Sequence, residues 1–244
     1  MVTQKRSCET QLITTVRDFS NTLNRKGQTD AVLLDFSKAF DKVDHDRLLS
    51  KLSTMGIGNS LLQWISSFLK DRTQSVIVDG STSSPAPVLS GVPQGTVLGP
   101  LLFLVYINDI CRNLSPGTLI RLFADDSLIY RSISSPKDAE ILQKDLNTLQ
   151  DWEKTNKMEF HPDKCQVLRI TNKSHPILYD YHIHNTPLQI VKQAKYLGVI
   201  IDSKLNWSPQ ISAACEKASK TLAFLQPNFF FCPYVKDRCV KTLV

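Results

Sequence analysis

The apolar and polar positions of the chain change period several times, and each change marks an element. A polar-capped helix is expected over about residues 9–25. Ala31-Val32-Leu33-Leu34 follows as a short apolar run bounded by polar residues, the pattern of a buried central strand. Two helices are expected around residues 47–54 and 61–70, the second preceded by Gly56-Ile57-Gly58-Asn59. Residues 73–78 read as one strand and residues 81–87 as a loop leading to Gly91. An apolar helix should start near Pro100, a residue suited to a first helical turn. The apolar runs Leu119-Ile120-Arg121-Leu122-Phe123 and Leu128-Ile129-Tyr130 flank a short polar step and predict a hairpin. Ser135-Pro136 opens a long amphipathic helix to about Asn156, with Ile141, Leu142, Leu146, Leu149 and Trp152 at helical spacing. Strands are expected near residues 166–171, 177–183 and 196–201, and helices near 211–224 and 235–243. There is no internal repeat and no low-complexity tract.

Two acidic positions do not fit a purely structural account of this pattern. Asp125 and Asp126 stand side by side at the expected hairpin turn, and neighbouring carboxylates repel. A hard divalent cation with oxygen ligands is the natural counter-charge, although Asp is a common turn residue and a polar hairpin tip is the plainer reading of the pair taken alone. Asp35 appears where the strand through Ala31–Leu34 should emerge, and an acid there is costly unless paired, protonated or metal-bound. Asp41, Asp44 and Asp46 precede the helical run Leu48–Leu52 and read as caps or termini. Between the two acidic elements lies Gly91-Val92-Pro93-Gln94-Gly95-Thr96-Val97-Leu98-Gly99-Pro100, a tight loop with glycines for close approach. No Gly-Lys-Ser/Thr follows, so it is not a nucleotide P-loop.

Composition narrows the partners. The 244 residues carry a net charge of +6 with 42% hydrophobic residues, an ordinary globular balance that favours a polyanionic partner. Residues 1–130 hold 13 Lys+Arg against 12 Asp+Glu, and residues 131–244 hold 16 against 11, so the excess of +5 sits in the second half. Duplex backbone contacts are therefore expected from Lys154, Lys157, Lys164, Lys192, Lys195 or Lys204, with an ordinary solvated surface as the alternative. The six cysteines show no Cys-x-x-Cys pair or zinc spacing and read as reduced thiols of an intracellular protein, in nucleus or cytoplasm. His182-x-His184 has no accompanying cluster and is not read as a zinc site. The longest apolar stretch, Val97 to Ile107, contains a proline and is too short to span a bilayer.

Taken together and in order, Asp35 with Phe40, then Pro93-Gln94-Gly95, then Phe123-Ala124-Asp125-Asp126 resemble reverse transcriptases. The wording of Leu34-Asp35-Phe36-Ser37-Lys38-Ala39-Phe40-Asp41-Lys42-Val43, of the Gly91–Pro100 loop with Tyr106-Ile107-Asn108-Asp109, and of Tyr196-Leu197-Gly198-Val199 is similar to the non-LTR (LINE-type, Jockey-like) retrotransposon enzymes. The resemblance implies an α/β (α+β) fold: a polymerase palm with an antiparallel sheet and packed helices, partial fingers and the start of a thumb. It implies Asp35, Asp125 and Asp126 as the catalytic carboxylates, with Asp35 and Asp125 holding two Mg²⁺ ions, or Mn²⁺ in their place. Phe40 takes the sugar-gate position, and Pro93, Gln94, Gly95, Ala124 and Lys164 take nucleotide- or template-binding positions. A plain core role is the other reading of Phe40, and a tight-turn choice that of Ala124. Asp109 is read as structural.

The partners so implied are an RNA template, a DNA primer and dNTP, with no membrane. The expected organisation is a partial fingers helix at 1–29, a palm at 30–201 with a fingers insertion at about 44–90, and truncated thumb-like helices at 202–244. The family's preceding finger strands and endonuclease are expected on a longer polyprotein. Phe229-Phe230-Phe231 is an apolar run where the family is more basic, and His161-Pro162 stands where its pattern has Asn-Pro. The function implied is RNA-directed DNA polymerisation by two-metal nucleotidyl transfer. The alternative is a catalytically inactive, truncated nucleic-acid-binding remnant of such an element.

Overall fold

In the computed structural model, residues 7–228 are described; the expected helix at 235–243 and the Phe229–Phe231 run lie outside them. The helices are α1 (Cys8–Asn24), α2 (His45–Thr54), α3 (Asn59–Leu69), α4 (Leu98–Ile107), α5 (Pro136–Asn156) and α6 (Ser208–Asn228). The strands are β1 (Gln28–Leu34), β2 (Thr73–Gln74), β3 (Ile77–Val78), β4 (Ser81–Thr82), β5 (Ala86–Pro87), β6 (Thr118–Phe123), β7 (Asp126–Ser132) and β8 (Gln166–Thr171), then β9 (His182–Ile183), β10 (Thr186–Pro187), β11 (Gln189–Val191), β12 (Gln193–Tyr196) and β13 (Val199–Asp202). Helix starts follow their caps. Asp44 Oδ1 accepts from Arg47 N at 3.0 Å ahead of α2, and Asp138 Oδ2 accepts from Ser135 N at 2.9 Å ahead of α5, with Pro136 in its first turn.

The main sheet runs β11-β8-β1-β7-β6, antiparallel except for the β11–β8 pair. Alternate residues of β1 feed opposite faces, as the period of a strand requires. Val32 and Leu34 join Ile129 and Val167 against α4 and α5, where Phe103, Tyr106, Leu142, Leu146 and Leu149 are buried. Ala31 joins Leu128, Tyr130, Leu168 and Ile170 on the other face, beneath Phe19 of α1 and beside Ala194, Tyr196 and Ile201. Helix α1 therefore packs on the opposite face of the sheet from α4 and α5. Its Asp18 accepts from Arg121 Nη2 at 3.0 Å and from the Tyr130 hydroxyl at 2.7 Å.

Three expectations are corrected. Residues 73–78 are not one strand and 81–87 are not a loop: β2 pairs with β5 and β3 with β4, a nested hairpin closed by Asp79-Gly80. Both turn residues have positive φ (49° and 79°), the backbone that an Asp-Gly hairpin turn demands, so the signal was present in the sequence. Residues 196–201 form a hairpin, β12 with β13, turned at Leu197-Gly198 with φ of 47° and 84°. Of residues 177–183, only His182 and Ile183 pair as a strand. Strand β11 was not foreseen. It joins the sheet edge through parallel pairing, a non-local contact that periodicity over three residues does not reveal. No helix among the described residues is long and apolar enough to cross a membrane.

Candidate active site

Strand β1 delivers Asp35 one residue beyond its last pair with β7, Leu34 opposite Ser127. The same register, continued by one step, sets Asp35 level with Asp126. Strands β6 and β7 close with Phe123 opposite Asp126, leaving Ala124 and Asp125 as a two-residue turn. Ala124 has φ of 52°. A left-handed non-glycine residue costs about 1–3 kcal/mol, and such backbone collects at functional sites. The small side chain is partly buried against the main core, so packing favours a small residue there while the left-handed backbone works against any Cβ.

Three carboxylates thus meet at one place although Asp35 and Asp125 are 90 positions apart in the sequence. Their proximity shows in Asp126, which keeps access to solvent. Partial burial, then the charge of Asp125, then that of Asp35 raise its carboxyl above the usual range. Asp35 has a cation beside it, Lys164, whose Nζ stands 3.7 Å from Asp35 Oδ1, with both side chains about half exposed (61% and 47%). Among the described residues no three His, Cys, Asp or Glu groups are placed to cage an ion by themselves. That donor set fits Mg²⁺, which takes oxygen ligands, often only one or two carboxylates, and fills its octahedron with substrate phosphates and water.

The second cluster is the loop through Pro93, Gln94 and Gly95, docked on the segment after Asp35. Val92 N donates to Phe40 O at 2.9 Å, Gly91 N to Val43 O at 2.8 Å, and Ser90 Oγ to Asp41 O at 2.8 Å. His45 Nε2 bonds Gly91 O at 2.8 Å. A Cβ on Gly91 would lie 2.9 Å from the Asp41 backbone, and one on Gly99 would lie 2.4 Å from Pro93 O. Those two glycines are what let the loop and the start of α4 close on their neighbours.

Phe40 is half-buried, its ring stacked on Phe103 at 4.3 Å between centroids, a contact of the packing role. Gln94 is exposed and donates to Asp41 Oδ1 at 3.1 Å. Asp41 is therefore the partner of Gln94 rather than a cap; Asp44 is the cap, and Asp46 pairs with Lys70 at 2.8 Å. Asp109 accepts from Lys51 Nζ and Trp152 Nε1, each at 2.8 Å, which ties α5 to α2 and matches its structural reading.

Sequence reasoning missed two neighbours of the acids. Cys165 is fully buried, and its Sγ accepts from Asp35 N at 3.5 Å; burial pushes its thiol up to about 11. Tyr196, at the β12–β13 turn, is buried near Asp126, and its phenol is raised to about 12 mainly by burial. Its Tyr-Leu-Gly-Val string was the available signal. Of the basic candidates, Lys154 pairs with Asp151 and Lys157 with Asp44, whereas Lys192, Lys195 and Lys204 are exposed with no carboxylate partner among the described residues.

Comparison with known proteins agrees with this geometry. Residues 2–201 match the family described as reverse transcriptase (RNA-dependent DNA polymerase). A probable RNA-directed DNA polymerase from transposon BS of Drosophila melanogaster is 32% identical over 82% of the chain, and that of the mobile element jockey of Drosophila funebris is 32% identical over 78%. The chain covers 23% and 21% of those relatives, about a fifth of their length. Among solved structures, telomerase from Candida tropicalis in complex with a fragment of telomeric RNA superposes with a TM-score of 0.57 over 87% of this chain and 37% of that one, at 12% identity. The likeness extends to the fold, a polymerase palm.

Proposed function

We propose that this chain, which belongs to the reverse transcriptase (RNA-dependent DNA polymerase) family, carries the palm of a non-LTR retrotransposon polymerase that extends a DNA primer with dNTP on an RNA template. The observation that carries this reading is the convergence of Asp35, Asp125 and Asp126, with Lys164 beside Asp35. In this reading Asp35 and Asp125 hold two Mg²⁺ ions, with Mn²⁺ able to replace them, and Asp126 supports the turn. Bound there, the metal supplies charge neutralisation for the triphosphate and a lowered pKa for the primer 3′-hydroxyl.

The chain's own residues do the positioning. The Phe40 ring, fixed by Phe103, closes on the sugar's 2′ carbon and excludes a ribonucleotide. Gln94, with Pro93 and Gly95, meets the nucleotide or template, and Ala124 leaves room for the primer end. Lys164, on the same side as Asp35, meets the phosphates. In-line attack then depends on orientation and preorganised charge. We assign α1 to the fingers side of the palm, residues 44–90 to a fingers insertion, and residues after 202 to the start of a thumb. The free thiols of Cys8, Cys111, Cys165 and Cys215 suit a reducing compartment, the nucleus or cytoplasm.

Primer extension on a homopolymeric RNA template, with Asp125→Ala as control, tests the reading. Mg²⁺-dependent synthesis that vanishes in the variant is expected. Duplex binding with no synthesis by either protein overturns it in favour of a binding remnant.

A further inference from the structure

Helix α5 hides an acid that neither its amphipathic pattern nor the metal site accounts for. Glu153 is 2% exposed, one turn before the helix ends at a left-handed Lys157 (φ 52°). A buried carboxylate is retained at a cost unless its oxygens are used. Both are. One accepts the backbone N–H of Phe160; the other meets His184 Nε2 at 2.9 Å.

Phe160 begins the segment that grips Asp35 from behind. Phe36 and Phe160 form an isolated antiparallel bridge, and their rings stack with centroids 4.5 Å apart. Ser37 N donates to Glu159 O at 2.8 Å and His161 N to Asp35 O at 2.8 Å, while Asp35 N donates to Cys165 Sγ. The Pro162–Lys164 turn then folds back through Lys164 N to His161 O at 2.9 Å, which sets the Lys164 ammonium beside Asp35. Both backbone groups of Asp35, and the cation beside its side chain, are therefore fixed by residues 159–165. The helix end that anchors this strap is itself pinned, since Trp152 donates to Asp109 and Tyr106 donates its hydroxyl to Asn156 O.

We propose that Glu153 is a positioning residue for the acidic site: braced by His184, it holds the 159–165 strap through Phe160 and so sets the place of Asp35 and Lys164. Its consequence for catalysis rests on the polymerase reading above; the mechanical claim does not.

The test compares Glu153→Ala, Glu153→Gln and His184→Ala in the full chain by hydrogen–deuterium exchange and by Mn²⁺ binding read from water-proton relaxation. Gln keeps an acceptor for the Phe160 N–H, whereas Ala leaves that donor unpaired. Exchange at residues 35–37 and 159–165 is expected to rise about tenfold or more in Glu153→Ala, less in His184→Ala, and to stay near the parent in Glu153→Gln, with β7 unchanged in all three. Mn²⁺ affinity should fall in the same order, by about 10–100-fold for Ala, the range of a lost supporting contact at a metal site. Unchanged exchange in Glu153→Ala, acceleration spread evenly over the sheet, or a Gln variant no better than Ala overturns the proposal. Failure of the unaltered chain to bind Mn²⁺ overturns the polymerase reading instead, and the exchange pattern still decides the strap.

Discussion

Strand β1 carries one aspartate near its start and delivers another just past its end, and the two could hardly be treated more differently. Asp30 is fully buried and completely partnered: Arg169 Nε at 3.2 Å, the Tyr181 hydroxyl at 3.0 Å and Gln28 Nε2 at 3.0 Å all donate to it. Asp35, five residues on, is about half exposed, faces two further carboxylates and has one loose cation 3.7 Å away. At the first end the protein spends its hydrogen bonds on neutralising a charge. At the second it leaves charge uncompensated and spends its hydrogen bonds on the backbone instead. Charge satisfied inside the protein marks the end that holds the fold. Charge left open to something outside marks the end that the proposed function would use.

The sharpest break of this contrast comes from removing each acid and asking which property falls. Asp35→Ala and Asp125→Ala should lower primer extension on the order of 10³-fold or more, the scale of losing a principal charge-stabilising group. Their denaturation midpoints should stay at or above that of the parent, since each substitution relieves repulsion at the hairpin. A variant that loses activity only in proportion to its unfolded fraction would place both acids in the structural class. Asp30→Ala should do the reverse. It strands the Arg169 guanidinium in the core, a change that costs about 3–5 kcal/mol. Urea titration reads that loss directly, and extension per folded molecule should change little. Replacing Asp30 and Arg169 together with apolar residues of similar volume should recover much of the stability.

How far this division could be read from the sequence differs by end. Asp35 was legible because it follows an apolar run and stands in a fixed order with Gln94 and the Asp125-Asp126 step. Asp30 looked like a strand boundary because its partners Arg169 and Tyr181 lie 139 and 151 positions away, beyond the reach of local pattern. Glu153 was hidden for the same reason, its carboxylate being spent on Phe160 and on His184, 31 positions on. The long helices and β1 were legible because their periodicity spans several turns or a whole buried run. The nested hairpin at 73–87 was missed although Asp79-Gly80 announces it, since its residues are all exposed and no burial alternation supports the short strands. Exposed Val76, Ile77 and Val78 misled in the same way: they read as part of one longer strand, whereas Ile77 and Val78 pair with Thr82 and Ser81 and Val76 N donates to Ser83 Oγ.

A smaller effect sharpens the working end. The Asp126 carboxyl is held above its ordinary range, so the folded state disfavours its ionised form. The resulting penalty is complete above the folded pKa and disappears as pH falls below the unfolded value near 3.9. In a metal-free buffer, Asp126→Asn should therefore melt at a higher temperature than the parent at pH 7. The gap should close on acidification through the carboxylate range. A gap independent of pH would mean that the hairpin gains from the amide for reasons other than charge. Adding Mg²⁺ at pH 7 should narrow the gap by stabilising the parent more than the variant.

The smallest effect concerns the underside of the same end. If only the carboxylate side of Asp35 is open, the thiol that receives its N–H must be closed to reagents. Cys165 has no exposed surface, and burial raises its pKa to about 11, which leaves on the order of one thiolate in 10³ at pH 8. Cys111 and Cys215 are exposed. Iodoacetamide at pH 8 should accordingly label Cys111 and Cys215 ahead of Cys165, which is modified only in denaturant, as peptide mass analysis would read out. Early labelling of Cys165 in the native chain would show that the 159–165 strap opens readily. The backbone of Asp35 would then be no better fixed than its side chain, and the contrast between the two ends of β1 would lose its mechanical half.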